Sequence, residues 1–360
     1  MTIALLIEPL DLLFCRDGRP IVAGEGAAAG SSLPGPQVLA GAIRTTLLRQ
    51  RGFLPADGGR PQQAHLDAVL KVAVRGPLLA DLRTAAPLIP MPADLVGDKP
   101  KHGQVGSART RLHPLAGIPG WTAPPDAPQA LPLWPRPERA DRTKPQGERV
   151  RPGASAAQSG FLTWAGFQTW QAGGVPAAAD IRAADQLFAT EVRTQVGLDV
   201  ASAIAADGVL FSTRYLRLTQ HVGFYVEIDG ADDFPQAGTL LLGGDRRQAG
   251  FSRLSAPVAW QASGSVMLAL TPTILAAEDG RCPATWKAHC RGLAIPGAES
   301  VSGWDLAANG GKGAPRPTRW AIPAGAVWHL GESVTTPSSI GCECSSGFGW
   351  TARGTTPSST

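Results

Sequence analysis

No segment of this sequence approaches the roughly 18 uninterrupted apolar residues that a membrane span requires. The opening run "MTIALLIEPLDLLF" has no basic n-region, and it carries Glu8, Pro9 and Asp11 where a signal sequence would continue its apolar core. Cysteine is scarce: Cys15, Cys282, Cys290, Cys342 and Cys344 form an odd set without a C-x2-C pair. A disulfide framework and a structural zinc site are therefore both disfavoured, and "CEC" at 342 to 344 reads as small buried or incidental residues. The six histidines are scattered, with no neighbouring nucleophile and no ligand spacing. These absences predict a soluble cytoplasmic protein with no metal, no cofactor and no membrane partner.

What is present points to a folded, loop-rich chain. Its 360 residues suffice for two domains, 43% are hydrophobic and only 17% charged, while 43 glycines and 32 prolines together make up about a fifth. A formal charge of +4 favours a polyanionic partner without identifying one.

Patterning supplies the elements. "TIALLIEPL" alternates as a half-buried strand. "SSLPGPQVLAGAIRTTLLRQRGF" places Pro36 at a first helical position and then Leu39, Ile43 and Leu47 at four-residue steps, with Arg44, Arg49 and Arg51 off that stripe. "HLDAVLKVAVRGPLLA" passes from a short helix into a strand near Val72 and Val74, and this alternation suggests an α+β or α/β layer. From Pro87 to Gly174 the chain is expected to be a long, partly disordered insertion. Its proline-rich core carries Arg136, Arg139, Arg142, Lys144, Arg149 and Arg151, and reads either as a solvated loop or as an electrostatic arm for nucleic acid. "DIRAADQLFATEVRTQVGLD" is expected to begin as a helix, and "GVLFSTRYLRLTQHVGFYVEID" holds two alternating runs expected to pair as a hairpin. Further strands fall in "TLLLGGDRRQAGFSRL", "SVMLALTPTIL" and "WAIPAGAVWHL".

Several motifs fail as cofactor sites. "GEGAAAG" at 24 to 30 mimics a dinucleotide fingerprint, but Pro34 and Pro36 interrupt the helix it needs. "GGKG" at 310 to 313 lacks the first glycine and the closing Ser or Thr of a phosphate loop. "LLGGDRR" resembles the metal-binding turn of palm-type polymerases with its second acid replaced by Arg246, so it suits a phosphate rather than a metal pair. "SGFGWTARG" places glycines around Phe348 and Trp350 ahead of Arg353, either as a phosphate- and base-binding loop or as a tight turn with core aromatics.

Taken in order, "IEPLDLLFCRDGRPIVAG", "SSLPGPQVLAGAIRTTLL", "EVRTQVGLD", "DGVLFSTRYLRL", "LLGGDRRQA", "LALTPTIL", "GWDLAANGGKGAPRPTRWAIPAGAVWHL" and "GFGW" resemble a known family across nearly the whole chain. It is the RAMP-type subunit that holds the 5′ tag of the guide RNA in type III-B CRISPR effector complexes, the third subunit of the Cmr module. The resemblance implies an α+β fold of two ferredoxin-like (RRM-like) domains with a proline-rich insertion and a C-terminal glycine-rich loop. The domains would span 1–219, with the insertion at about 90–175, and 220–354, followed by a disordered tail at 355–360. It also implies a non-catalytic role, guide RNA as ligand, and docking on the large polymerase-like subunit and a neighbouring RAMP backbone subunit.

On this basis Arg16 and Arg19 are expected to grip phosphates of the tag, with Asp17 and Gly18 making the turn; an arginine paired internally with Asp17 or Glu8 is the alternative. Arg44, Arg193, Arg246, Arg247 and Arg353 join them, with backbone donors at Gly243, Gly244, Gly347 and Gly349 and a stacking face at Phe348. A metal-independent endoribonuclease of the same superfamily and a protein-only adaptor remain the rival functions.

Overall fold

The computed structural model describes residues 1–15, 32–53, 61–97, 108–116, 120–135, 156–157, 160–198, 202, 204–305, 314–331 and 339–355. The strands of the N-terminal half are Thr2–Pro9 (β1), Ala73–Asp81 (β2), Ala86–Pro90 (β3), Leu95–Gly97 (β4), Ala108–Pro114 (β5), Leu133–Pro135 (β6), Ala156–Ala157 (β7), Phe161–Leu162 (β8) and Ile181–Arg182 (β9). Phe188–Leu198 (β10), Ala205–Leu218 (β11), Val222–Asp229 (β12), Ala237–Leu241 (β13) and Gln248–Arg253 (β14) follow. The C-terminal strands are Val266–Ala269 (β15), Cys290–Ala294 (β16), Glu299–Val301 (β17), Trp304–Asp305 (β18), Ala314–Pro315 (β19), Arg319–Ala321 (β20), Val327–Leu330 (β21) and Thr351–Gly354 (β22). The α-helices are Pro36–Gln50 (α1), Gln63–Leu70 (α2) and Trp164–Gln171 (α3).

The main sheet runs β13-β14-β1-β12-β2-β3-β8-β9, antiparallel at every pairing. Its centre is buried on both faces, which explains the near-continuous apolar runs of β1 and β12. Ile3, Leu5, Ile7, Phe224, Val226 and Ile228 meet Leu39, Ile43 and Leu47 of α1 on one face. Ala4, Leu6 and Tyr225 meet Phe167 and Trp170 of α3, and Val266, Leu268, Trp350 and Ala352, on the other. That second layer includes a four-stranded sheet ordered β16-β21-β15-β22. Helix, sheet and sheet thus stack in three layers, and no helix among the described residues is long and apolar enough to cross a membrane.

The two sheets share an order. With β1, β2, β12 and β14 counted first to fourth, the main sheet's core reads fourth, first, third, second; β15, β16, β21 and β22 repeat that order in the other sheet.

Four expectations need correction. β11 and β12 do not form a hairpin: β11 pairs with β10, while β12 sits between β1 and β2. The stretch after Asp180 is not a helix; it makes the short strand β9, one 3-10 turn at Ala184–Gln186 and then β10, whose Thr190, Val192, Thr194 and Val196 are β-branched at alternate positions. Residues 87 to 174 are not simply an insertion, since β3 and β8 belong to the main sheet and α3 buries Phe167 and Trp170 completely. The proline-rich arm at 136–155 lies outside the described residues. The expected boundary at 219/220 falls between β11 and β12, and β12 to β14 hydrogen-bond into the sheet of β1. At the far end Thr355 is tied down, its N–H and hydroxyl each donating to the Gln171 carbonyl at 2.7 Å.

Candidate nucleic-acid interface

The segment leaving β1 is clamped rather than loose. Leu13 exchanges two 2.8 Å backbone hydrogen bonds with Leu216 of β11, and Leu12, Phe14 and Tyr215 form a small core of their own. On the other side the Gly244 N–H donates to the Phe14 carbonyl at 2.7 Å. Gly243 has φ +79°, and a Cβ there would lie 2.6 Å from that same carbonyl oxygen. Only glycine lets the β13–β14 turn press against Phe14. The chain is thereby delivered to Cys15 between the ribbon and the turn, and Arg16 and Arg19 follow outside the described residues.

Tyr215 organises the surface around this exit. Its hydroxyl donates to Asp245 Oδ2 at 3.0 Å and accepts from Gln195 Nε2 at 2.6 Å. The guanidinium of Arg247 lies 5.1 Å from its ring centre and that of Arg193 5.7 Å, both within cation–π range. Arg247 also pairs with Asp11, while Arg193 and Arg217 share Glu191. The Asp11 carboxyl is held below its ordinary range, first by the Leu12 N–H and then by the combined positive field of Arg247, Arg193 and Arg217. Asp245 and Arg246 take left-handed backbone at φ 54° and 51° and expose the Arg246 side chain. Among the described residues its guanidinium has no partner. A cleft of about 530 Å³ runs from this turn along α1, lined by Phe14, Thr45, Arg49 and Gly244.

The structure therefore gathers Arg193, Gly243, Gly244, Arg246 and Arg247 at one place, with the Gly244 N–H already spent on Phe14. The remaining expected residues are elsewhere and have other work. Arg44 braces α1 against the C-terminal loop, donating to Ser345 O at 2.7 Å, Ser346 Oγ at 3.1 Å and Val72 O at 3.0 Å. Desolvation pushes its pKa down. Phe348 is 1% exposed and packs on Ile274 and Ala321, so it offers no face to a base. The Gly347 N–H donates to Cys344 O and the Gly349 N–H to Pro272 O, which leaves neither amide for a phosphate. Arg353 is buried in β22 and bonds the Ala262 carbonyl. The C-terminal motif is a tight turn with core aromatics.

Sequence reasoning missed Tyr215, Arg217, Glu191 and Asp11. The signal was present in "STRYLRL": alternation sets Thr213, Tyr215 and Arg217 on one face of β11, opposite Arg193, Glu191 and Ala189 of β10. Among the described residues no cluster of His, Cys, Asp and Glu could hold a metal ion.

A family model described as "CRISPR-associated protein (Cas_Cmr3)" matches residues 5–333. No curated protein matches the chain. A chain in the cryo-EM structure of the Type III-B Cmr-beta bound to cognate target RNA is similar at 17% identity, over 91% of this chain and 86% of that one, with a TM-score of 0.51. A second structure, of Cmr-beta bound to cognate target RNA and AMPPnP, gives 16% identity, the same coverage of 91% and 86%, and a TM-score of 0.52. The shared feature at this level of identity is the fold.

Proposed function

The chain belongs to the CRISPR-associated Cas_Cmr3 family, and from that membership we infer that it is a non-catalytic subunit of a type III-B effector complex that anchors the 5′ tag of the guide RNA. The observation that carries this reading is the convergence of Arg193 and Arg247 on Tyr215, with Arg217 sharing Glu191 with Arg193 and Arg246 exposed beside Asp245, at the point where the chain enters the segment with Arg16 and Arg19. Guanidinium groups match phosphate oxygens in a bidentate way, and phosphate contacts fix the register of a bound strand without reading its bases. Asp11 and Glu191 hold the arginines in place before RNA arrives, and exchange of carboxylate for phosphate keeps each guanidinium paired.

Each sheet's fourth-first-third-second order supports two ferredoxin-like halves, the first closing at β14 and the second running from β15 to β22. Docking on the large polymerase-like subunit and on a neighbouring backbone subunit is supported by the projecting β10–β11 ribbon. Val192 and Val196 are 57% and 43% exposed there, on the face opposite Arg193.

The test is binding of labelled guide RNA with its native 5′ tag, against one with a scrambled tag, by this protein co-purified with its large partner, with cleavage products run alongside. Tag-dependent binding that weakens steeply with salt, without cutting, is expected. Metal-independent cutting would replace this reading with an endoribonuclease, and the absence of both binding and cutting with a protein-only adaptor.

A further inference from the structure

The ribbon formed by β17 and β20 covers the glycine-rich turn that buries Phe348. Its register pairs Glu299 with Ala321, Ser300 with Trp320 and Val301 with Arg319. Ala321 is 3% exposed and packs with Ile274 and Phe348, and Val301 packs beside them, so the inner face rests on the turn. Trp320 alternates to the outer face and is 72% exposed, against 46% for Trp121. Among the described residues nothing hydrogen-bonds its indole N–H. Burying an aromatic side chain of this size is a substantial gain, and here the gain is left unclaimed within the chain.

The surroundings narrow what would claim it. Ser300 and Thr318 are the exposed neighbours along the outer face, so Trp320 is a single flat ring in polar company rather than part of an apolar patch of the kind a protein partner fills. Charge lies four residues away in the chain. Arg316 is exposed, its backbone N–H donates to Gly303 O at 2.8 Å, and its guanidinium has no partner among the described residues. Pro315 and Pro317 restrict the backbone on either side of it. Arg319 is paired with Glu343. An exposed aromatic face with an uncommitted cation four residues before it on the same segment is the chemistry of base stacking with a phosphate contact.

Position agrees with this. Gln37 Nε2 donates to Ser302 O at 2.7 Å, which ties the ribbon to the first turn of α1, and Arg49 near the other end of α1 borders the Gly243–Gly244 turn. Twelve residues of helix separate those two points by about 18 Å, a span of a few nucleotides of single strand.

We propose that Trp320 is a base-stacking residue, on which an unpaired base of bound RNA lies while Arg316 holds the adjoining phosphate. The proposal rests on the RNA-binding reading above and extends it to a second contact beyond the arginine cluster.

The experiment compares wild type with Trp320→Ala, Trp320→Phe and Arg316→Ala, as full chains co-purified with the large partner. Affinity for labelled single-stranded guide RNA is measured across a salt series, with a blunt duplex of the same length as control. Trp320→Ala should weaken single-strand binding about tenfold without changing the salt slope, Trp320→Phe should recover part of the loss, and duplex binding should not respond. Arg316→Ala should flatten the slope by about one. Thermal melting of each variant should match wild type, since both side chains are exposed. If wild type binds and Trp320→Ala binds equally well, the stacking proposal fails while the RNA reading stands. Loss of the large partner by Trp320→Ala with RNA affinity intact would make Trp320 a protein contact and overturn the proposal. If wild type binds no single strand, both readings fall together.

Discussion

The two sheets share a strand order but join their strands differently. In the first, the step from first to second strand begins with α1, a 15-residue helix whose apolar stripe covers the sheet, and the step from third to fourth carries the β13–β14 turn with Arg246 exposed and Arg247 half-buried against Tyr215. In the second, the same two steps are made by short 3-10 turns around Trp286 and by the glycine-rich turn around Phe348. Both third-to-fourth connections are glycine-rich, yet one is a surface and the other is core. The difference lies in what fills the space beside the glycines. At Gly243 and Gly244 the neighbour is the exiting chain at Phe14 and Cys15, whereas at Gly347 the backbone of Gly76 closes in and at Gly349 that of Ile340. A glycine loop is thus permission for close approach, and the approaching partner can equally be the protein itself.

The largest effect expected from this contrast is at Gly349. Its φ is +68°, and a Cβ would sit 1.8 Å from the Ile340 carbonyl oxygen, which is backbone and cannot step aside. Gly349→Ala should lose the folded protein outright. Gly244→Ala meets only the Phe14 ring at 2.7 Å, a side chain that can turn, and should leave a soluble protein with a lowered melting temperature. Circular dichroism melts of the pair decide; equal losses would erase the distinction between the two turns.

Next in size is the buried pair beneath the second sheet. Arg111 and Asp94 are 2% and 0% exposed at 2.8 Å, and Trp170 Nε1 donates to the same carboxylate at 2.9 Å. Asp94→Asn would strand the Arg111 charge and should cost about 3–5 kcal/mol. Asp11→Asn on the exposed first region removes a surface partner of Arg247 and should cost under about 1 kcal/mol. Chemical denaturation of the two variants measures the gap.

A smaller effect belongs to His329 of β21, which faces Asp94 Oδ2 at 3.8 Å and is buried. Desolvation lowers its pKa to about 4, with Asp94 opposing that shift and Arg111 and His113 adding to it. The unfolded chain then binds more protons than the native one between about pH 6.5 and 4. Stability should therefore fall on acidification through that window, by at most about 3 kcal/mol. His329→Leu should flatten the loss, read as melting temperature against pH, because among the described residues neither ring nitrogen has a hydrogen-bond partner to give up.

These contrasts also mark what was legible in the sequence. β1, α1, β2 and the β13–β14 hairpin were readable because each is a local pattern: alternation, a four-residue apolar step behind a proline, or two strands around a glycine turn. The partner of β11 was not. Alternation in residues 205–218 and 222–229 is the same whether the two pair with each other or diverge, and only the three-dimensional competition for β1 and β2 decides. The site was half legible for a related reason. Composition located arginines and glycines, but their partners sorted Arg246 and Arg247 from Arg44 and Arg353, which bond backbone carbonyls of other segments, and such partners are a property of what lies across the fold.

The smallest effect is the most direct test of that sorting. Arg246 is exposed with no partner among the described residues, whereas Arg353 is 9% exposed and bonded to Ala262. Arg246→Ala should leave the melting temperature essentially unchanged, weaken guide RNA binding about tenfold and flatten its salt dependence by about one, because one phosphate contact and its released counterion are lost. Arg353→Met should do the reverse, lowering the melting temperature while the bound fraction, once corrected for folded protein, keeps the wild-type salt slope. A shallower slope in Arg353→Met with an unshifted melt would mean that β22 reaches RNA, and the second sheet would then have to be counted as interface rather than support.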